Sequence, residues 1–206
     1  MQAEEEFLNR TINSYNVTSL EYSSKFSNAI LRSHLARFHA MLPSGDVPVL
    51  DAGCGNGRDY AEMSAMGLEV LGVDLSLGLL KLAREAGCQK LIRSDLRELP
   101  IWDASISGVW SCASLVHMPP RGSRKAISEF ERILVPGGVL FLTVRHGSGT
   151  EWRDDGAGGA RWFQLYEKDQ LENLVSEAGF SIEASIIEPG LIRGRWISVF
   201  ATKGSR

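Results

Sequence analysis

The chain has 206 residues, of which 44% are hydrophobic and 23% charged, and its formal net charge is −3. This length fits a single domain with a substantial core. No run is rich in lysine or arginine, which disfavours a general binder of nucleic-acid phosphates. The first seven residues carry three glutamates rather than a basic segment and an apolar core, so no signal peptide is expected. No apolar run reaches the ~20 residues that span a bilayer.

Three cysteines, Cys54, Cys88 and Cys112, lack the spacing of a metal site. Each lies in or beside an apolar run, which is typical of buried thiols in a reducing compartment. We therefore expect no disulfide, no metal ion and a cytoplasmic location.

The N-terminal part of the chain predicts a helical cap. Two helices are expected, Glu4–Asn13 and Ser19–Leu42, with a break around Asn16. The second helix repeats apolar residues at helical spacing, so one of its faces should be buried. His34 and His39 are five residues apart on this helix and are interpreted as surface residues rather than a ligand pair.

A strand, a glycine turn and a helix are predicted next. The apolar run at 47–50 precedes Gly53, Gly55 and Gly57, a pattern typical of a buried parallel strand that ends in a tight turn. Glycine leaves room for a ligand to press against the main chain, and the following helix offers free N–H groups. The carboxylate of Asp51, just before the turn, disfavours a pyrophosphate and suits a ligand that carries an ammonium group.

The spacing of these glycines argues against a dinucleotide site. The dinucleotide fingerprint Gly-x-Gly-x-x-Gly would require its third glycine at position 58. Arg58 occupies that position.

Strands and helices alternate through the rest of the chain. The predicted helices are Asp59–Met66, Leu77–Ala86 with Ser76 as its N-cap, Ser123–Leu134 and Glu167–Ala178. The predicted strands are Leu68–Val73, Cys88–Ile92, Ile106–Ser111, Val139–Val144 and an antiparallel pair, Phe180–Ile187 and Trp196–Thr202. Residues 146–159 are expected to form a loop at the carboxyl end of a strand, where α/β sheets place substrate groups. This layout predicts a doubly wound α/β sheet.

An acid followed by Gly-x-Gly-x-Gly resembles the class I S-adenosylmethionine-dependent methyltransferases, including their small domains of the type 11 kind. The resemblance runs from Tyr15 onward and is stronger before Arg145 than after it. It implies a Rossmann-like, seven-stranded, mostly parallel sheet of order 3-2-1-4-5-7-6 with strand 7 antiparallel. It also implies one domain over 1–206, divided into a helical cap (1–42), a cofactor-binding half (47–145) and a substrate-side loop with a C-terminal hairpin (146–206).

The resemblance implies S-adenosyl-L-methionine as cofactor and assigns contacts to it. Asp74, at the end of the second strand, would accept both ribose hydroxyls, Asp95 would accept the adenine amino group, and Leu96 would pack on the adenine ring. Tyr15 and Tyr22 belong to a segment that would fold over the cofactor; packing of the helix onto the sheet is the alternative for both, and helix capping is the alternative for Asp95. The implied cofactor-binding residues are Tyr15, Tyr22, Asp51, Gly53, Cys54, Gly55, Gly57, Arg58, Asp74, Leu75, Ser76, Asp95, Leu96 and Cys112.

Two histidines are candidate catalytic residues. His117 follows the fourth strand and is the first candidate for a general base, because an imidazole titrates near neutral pH. A hydrogen bond within its loop is the alternative. His146, just past the fifth strand, is the reserve candidate. The candidates for the wall of an acceptor pocket are Trp152, Arg161, Trp162 and Tyr166.

The sequence therefore predicts an enzyme that transfers a methyl group to an O, N or C atom of a small metabolite by direct displacement. The expected partner is this small-molecule acceptor, with no nucleic acid and no membrane, and the chain should be a monomer or a homodimer. A non-catalytic S-adenosylmethionine-binding regulatory or partner subunit is an alternative. A less favoured alternative is an NAD-linked oxidoreductase.

Overall fold

The computed structural model describes residues 2–26, 31–154, 159–190 and 194–204. Residues 27–30, within the predicted second helix, lie outside this described part, as do residues 155–158 of the predicted loop.

The N-terminal cap contains three helices, α1 (Gln2–Val17), α2 (Ser19–Phe26) and α3 (Arg32–Met41). The predicted break at Asn16 is wrong by two residues, because α1 continues through Asn16 and the chain leaves the helix at Thr18. The Thr18 hydroxyl donates a hydrogen bond to the Ser14 carbonyl (2.8 Å). This bond ties the turn to the last part of α1.

Strands and helices alternate after the cap, as predicted. In chain order the elements are β1 (Val49–Ala52), α4 (Arg58–Ala65), β2 (Val70–Asp74), α5 (Leu77–Glu85), β3 (Leu91–Arg93), β4 (Ile106–Cys112), α6 (Pro120–Ile133), β5 (Leu134–Arg145), β6 (Thr150–Asp154), β7 (Ala160–Gln164), α7 (Lys168–Glu177), β8 (Phe180–Pro189) and β9 (Arg195–Lys203). A short 3₁₀ turn, Leu115–His117, follows β4.

The central sheet has the strand order β3-β2-β1-β4-β5-β9-β8. Strands β1 to β5 pair in parallel, whereas β9 is antiparallel to both β5 and β8. Counted along the chain within this sheet, β8 and β9 are its sixth and seventh strands. The expected fold class and strand order are therefore confirmed.

One part of the predicted loop forms a separate hairpin. Strands β6 and β7 pair antiparallel, with Trp152 opposite Trp162. The loop prediction for residues 146–159 is thus wrong over β6, where exposed and half-buried side chains alternate. The sequence did not indicate this short strand, because polar and glycine-rich residues surround it. Its pairing partner, β7, follows those residues in the sequence.

Apolar side chains fill both faces of the sheet. On one face, Phe38 of α3 packs edge-on against Trp110 of β4, and Trp110 stacks on Phe141 of β5 with 3.9 Å between ring centroids. A Cβ at Gly108 would lie 2.6 Å from Phe38, so α3 rests directly on bare strand backbone. On the other face, α6 and α7 contribute a second cluster that includes Phe130.

No helix in the described ranges combines the length and the hydropathy needed to cross a membrane.

The packing of α3 predicts that this helix is part of the core rather than a loosely attached cap. Phe38→Ala should lower the free energy of unfolding by about 3–5 kcal/mol, since Phe38 is fully buried. Leu20→Ala, at a position that is 67% exposed, is the control and should change it by less than about 0.5 kcal/mol. Urea denaturation measures both; equally small effects would contradict the packing of α3.

Candidate functional site

The first and third glycines of the turn after β1, Gly53 and Gly57, pack tightly against other segments, whereas the middle one, Gly55, faces open space. A Cβ at Gly53 would lie 2.4 Å from Ser114 Oγ, and one at Gly57 would lie 2.4 Å from Cys88 Sγ. Gly55 has only a Leu79 methyl group near its missing Cβ, at 3.8 Å. The outer glycines therefore allow close packing of the loop, while backbone at Gly55 borders a cavity.

This cavity, here called the cofactor cleft, lies at the carboxyl ends of β1, β2 and β4. It encloses about 670 Å³, including space open to solvent, a size typical of small-molecule sites. Its lining consists of Leu8, Thr11, Ile12, Tyr15, Tyr22, Gly53, Gly55, Asp74, Leu75, Ser76, Leu79, Ser94, Leu96, Cys112, Ala113, Ser114, His117 and Met118.

Asp74 presents a carboxylate to the cleft in a fixed orientation. Its Oδ2 accepts a hydrogen bond from the Gly55 amide (2.9 Å) and its Oδ1 accepts one from the Ser76 amide (2.7 Å). Burial raises the pKa of Asp74, and the two amide bonds act in the opposite direction. Because a carboxylate oxygen accepts more than one bond, both oxygens can also take the hydroxyls of a ribose.

The N-terminus of α5, next to Asp74, is filled by protein groups. The side-chain oxygen of Asn16 accepts hydrogen bonds from the Gly78 amide and the Ser76 hydroxyl, both at 2.9 Å. Ser76 Oγ in turn accepts from the Leu79 amide (3.2 Å), so the predicted N-cap at Ser76 is confirmed. These partners satisfy donors that would otherwise be available to a phosphate.

Two carboxylates lie beneath the glycine turn. Asp51 is buried, and its Oδ2 has no hydrogen-bond partner among the described residues. Burial and the neighbouring Asp59 carboxylate raise the pKa of Asp51 well above its usual range. The Asp59 carboxylate forms a bidentate ion pair with the Arg58 guanidinium (2.8 and 2.7 Å). It also accepts a hydrogen bond from Trp110 Nε1 (3.0 Å). A further negative group is disfavoured here, whereas an ammonium group suits the unpartnered oxygen of Asp51.

Helix α1 forms a roof over the cofactor cleft and is attached to β7. The Thr11 hydroxyl accepts a hydrogen bond from the Trp162 amide (3.1 Å). His117 joins the two elements: its Nδ1 lies 2.7 Å from the Trp162 carbonyl, and its Nε2 lies 2.8 Å from the Tyr15 hydroxyl. A carbonyl only accepts, so Nδ1 donates and, in a neutral imidazole, Nε2 accepts from Tyr15.

Most of the residues predicted to bind the cofactor line the cleft, and the others lie behind it. Asp51, Cys54 and Gly57 are part of the buried loop rather than the lining. Asp95 is also absent from the lining, although its two neighbours in the sequence, Ser94 and Leu96, line the cleft. Although burial acts in the opposite direction, hydrogen bonds from Arg97 lower the pKa of Asp95. The assignment of Asp95 to the adenine amino group stays a prediction.

The predicted acceptor-pocket residues lie outside the lining of the cofactor cleft. Trp152 packs against Phe7 and beneath the Arg10 guanidinium. Tyr166 shares a 2.8 Å hydrogen bond with the Ser123 hydroxyl. His146 Nε2 lies 3.4 Å from a Glu167 carboxylate oxygen.

Arg161 and Trp162 contact the roof helix and the turn that follows it. Arg161 is fully buried, donates to Thr18 Oγ1 (2.9 Å) and lies 4.3 Å from the centre of the Tyr15 ring. Phe7 of α1 stacks on Trp162 with the ring centroids 5.8 Å apart. These contacts give both residues a structural role, and their contact with a substrate stays a prediction.

A second cavity of about 500 Å³, here called the side cavity, adjoins the cleft. The two cavities share Tyr22, Cys112 and Ala113 as wall residues. Arg58, predicted to bind the cofactor, lines the side cavity instead of the cleft. Sequence reasoning missed the polar residues of this cavity because they lie in strands with ordinary apolar neighbours. These residues are Thr143, Glu188, Trp196 and Ser198.

Comparison with known proteins identifies the family. A family profile described as a methyltransferase domain matches residues 49–138. A protein of Encephalitozoon cuniculi named as a methyltransferase is 36% identical over 152 residues, which cover 65% of this chain and 70% of that protein. The chain belongs to the class I S-adenosylmethionine-dependent methyltransferases.

Other relatives and solved structures agree with this assignment. An O-methyltransferase of Pyrenophora dematioidea is 28% identical over 169 residues, 73% of this chain and 60% of that protein. A tRNA (carboxymethyluridine(34)-5-O)-methyltransferase of Arabidopsis thaliana is 37% identical over 111 residues, 53% of this chain but only 26% of that protein. The fold matches that of the Synechocystis magnesium protoporphyrin IX methyltransferase with bound S-adenosylmethionine, at a TM-score of 0.74 and 18% identity over 96% of this chain and 97% of that one.

The methyltransferase is thus an enzyme that uses S-adenosylmethionine as its methyl donor, and the alternative of an NAD-linked oxidoreductase is wrong. The residues present fit this cofactor. Asp74 offers acceptors for ribose hydroxyls, the backbone at Gly55 is exposed to the cleft, and Asp51 keeps an unpartnered buried oxygen beneath the loop.

The position of Asp74 predicts a specific loss of cofactor affinity. Asp74→Ala should weaken binding of S-adenosylhomocysteine by about 10- to 100-fold, because it removes charge-assisted hydrogen bonds to the ribose and the support of the glycine loop. Isothermal titration calorimetry measures the change, and Asp46→Ala, at an exposed aspartate, is the control. Unchanged affinity in Asp74→Ala would refute this role.

Proposed function

We propose that the methyltransferase transfers the methyl group to a small molecule that binds in the side cavity. The observation that carries this proposal is the contact between the two cavities at Tyr22, Cys112 and Ala113. An acceptor in the side cavity would reach the methyl group where the two cavities meet at these residues.

When bound, S-adenosylmethionine would supply a sulfonium methyl group to an electron pair of the acceptor. The chain's contribution to such a displacement is alignment of the two reactants and exclusion of water. Alignment alone accounts for about 7–11 kcal/mol in favourable systems. The apolar side chains of Leu8 and Ile12, on the roof helix, line the cofactor cleft.

A tRNA acceptor is the competing possibility, since a tRNA methyltransferase is among the relatives. That similarity spans only about a quarter of the relative, so it does not extend to most of that protein. The present chain has a formal net charge of −3 and no basic run, whereas binding to nucleic-acid phosphates depends on clustered lysine and arginine. We therefore favour an acceptor that is neither nucleic acid nor membrane lipid.

We also propose a cytoplasmic enzyme that acts as a monomer or a homodimer. The state of its cysteines supports the location: Cys54, Cys88 and Cys112 are all free thiols, as expected in a reducing compartment.

The acceptor class can be tested with labelled methyl transfer. Purified protein, S-adenosylmethionine with a labelled methyl group and a panel of small hydroxylated, aminated and carbon-nucleophile metabolites should give a labelled product from at least one class. Unmodified tRNA is the matched polymer in the same assay. Transfer to tRNA alone would overturn the proposal, and cofactor binding without any transfer would favour the non-catalytic alternative.

The two hydrogen bonds of His117 suggest that it positions the roof rather than accepting a proton. Both ring nitrogens are engaged, one of them with Tyr15. Tyr15→Phe should therefore slow turnover by about fivefold, the value of one hydrogen bond. His117→Ala also loses the bond to the Trp162 carbonyl and should slow turnover by up to about 30-fold, and the double variant should be no slower than His117→Ala alone.

A general base would behave differently in this set of variants. Loss of such a base costs about 10²–10⁴-fold in rate, and removal of the Tyr15 hydroxyl would leave the base in place. A large effect confined to His117→Ala would therefore contradict the positioning role and restore the predicted base.

A further inference from the structure

Polar groups are buried in the sheet where it forms the floor of the side cavity. Thr143 of β5 and Ser198 of β9 are buried within otherwise apolar runs. Ser198 Oγ donates a hydrogen bond to Glu188 Oε1 (2.7 Å) and lies 3.4 Å from Thr143 Oγ1. Buried polar groups cost free energy unless they are paired, and these hydrogen bonds pair the two hydroxyls.

Two hydrogen-bonding groups of this floor are left without a protein partner. The indole N–H of Trp196 is buried and has no acceptor among the described residues. Glu188 uses Oε1 for Ser198 and for a 2.7 Å contact with His34 Nε2, and its Oε2 has no hydrogen-bond partner in the described part of the chain. Both residues line the side cavity.

The two groups are neighbours. Glu188 and Trp196 are directly paired residues of β8 and β9, and such pairs have Cβ atoms about 5 Å apart. The edge of the indole is fixed by Gly190, where a Cβ would lie 2.1 Å from Trp196 Nε1. The residues at this end of the cavity therefore carry one unpartnered donor and one unpartnered acceptor among the described residues.

This pair lies at the end of the side cavity away from the cofactor. Cys112, in the wall shared with the cleft, pairs with Thr143, and Thr143 pairs with Ser198. Two strand spacings of ~4.8 Å separate Cys112 from Ser198 by roughly 10 Å. A group bound at Glu188 and Trp196 is thus not the one that receives the methyl group.

The charges of the cavity restrict what this distant group can be. The charged residues that line it within the described ranges are Arg58 and Glu188, and the Arg58 guanidinium is already paired with Asp59. A carboxylate on the ligand would face Glu188, whereas an ammonium group would leave the Trp196 N–H without an acceptor. A neutral group with both a donor and an acceptor satisfies both residues at once.

We propose that Glu188 and Trp196 recognise the acceptor at the end opposite its methylated atom, and that this end carries a neutral amide or hydroxyl group. The ligand would donate to Glu188 Oε2 and accept from Trp196 Nε1. Cys112 lies two strand spacings from the β9 residues of this end and three from β8, so a ligand that spans the cavity is roughly 10–14 Å long. This inference rests on the proposed function, since it takes the side cavity as the acceptor site.

Four single-ring probes of similar size test the inference. Benzamide offers a donor and an acceptor, benzoate only acceptors with a negative charge, benzylammonium only donors with a positive charge, and toluene neither. Each is titrated into ¹⁵N-labelled protein saturated with S-adenosylhomocysteine, and the readout is the indole N–H resonance of Trp196, assigned by its loss in Trp196→Phe. Benzamide should shift this resonance in a saturable manner and bind at least about tenfold more tightly than the other three probes.

A charge-removing variant tests Glu188 itself. In Glu188→Gln the preference for benzamide over benzoate should fall to about threefold or less, because the repulsion of the carboxylate is gone while a donor and an acceptor remain. Glu183→Gln is the matched control. Glu183 also lies on β8 and accepts a hydrogen bond from a β9 hydroxyl, that of Thr202, but it does not line the side cavity. It should keep the full preference.

The outcomes separate this inference from the proposed function. Benzoate or benzylammonium binding as tightly as benzamide in the unmodified protein would overturn the inference, as would binding that leaves the Trp196 resonance unmoved. These results need no variant, so a misfolded Glu188→Gln would not rescue the inference. Calorimetry with S-adenosylhomocysteine is run on the same samples. Failure to bind it would instead remove the proposed function.

Discussion

The contact between the glycine turn and the exit of β4 is the constraint on which both cavities depend. Ser114 Oγ donates a hydrogen bond to the Ala52 carbonyl and occupies the space that a Cβ at Gly53 would need. This contact fixes the end of β1 against the end of β4. Ala113, the residue before Ser114, is held at a φ of 61°, in the left-handed region that a non-glycine residue rarely adopts. Such strain is sustained only where surrounding packing enforces it, and here the strained residue lines both the cofactor cleft and the side cavity.

The features that the sequence predicts well depend on neighbours close in the chain. The apolar run before Gly53 predicts β1, the hydroxyl of Ser76 predicts the start of α5, and the alternation of strands and helices predicts a doubly wound sheet. Each of these signals is complete within a few residues or repeats regularly. The order of the strands follows from the family resemblance, which again rests on a local pattern from Asp51 to Gly57.

The features that the sequence does not predict depend on contacts between distant segments. Tyr15 meets His117 across 102 positions, and Trp162 meets Thr11 across 151. From the sequence alone, Tyr15 and Trp162 look like ordinary core residues. Their place in the roof depends on these long-range contacts. Glu188 is equally hard to predict from the sequence, because a glutamate in a strand with alternating exposure is expected to face solvent. Only its position beside Ser198 shows that it borders a cavity.

Arg58 connects the choice of cofactor with the shape of the acceptor site. In dinucleotide-binding proteins a glycine at this position lets the helix pack closely against the strand. Although burial disfavours its charge, the ion pair with Asp59 raises the pKa of Arg58, so the guanidinium stays charged. It reaches Cys112 Sγ at 3.6 Å and lines the side cavity. The side chain that removes the third glycine of the dinucleotide fingerprint is thus the one that borders the proposed acceptor, and a reversal to glycine would alter both sites together.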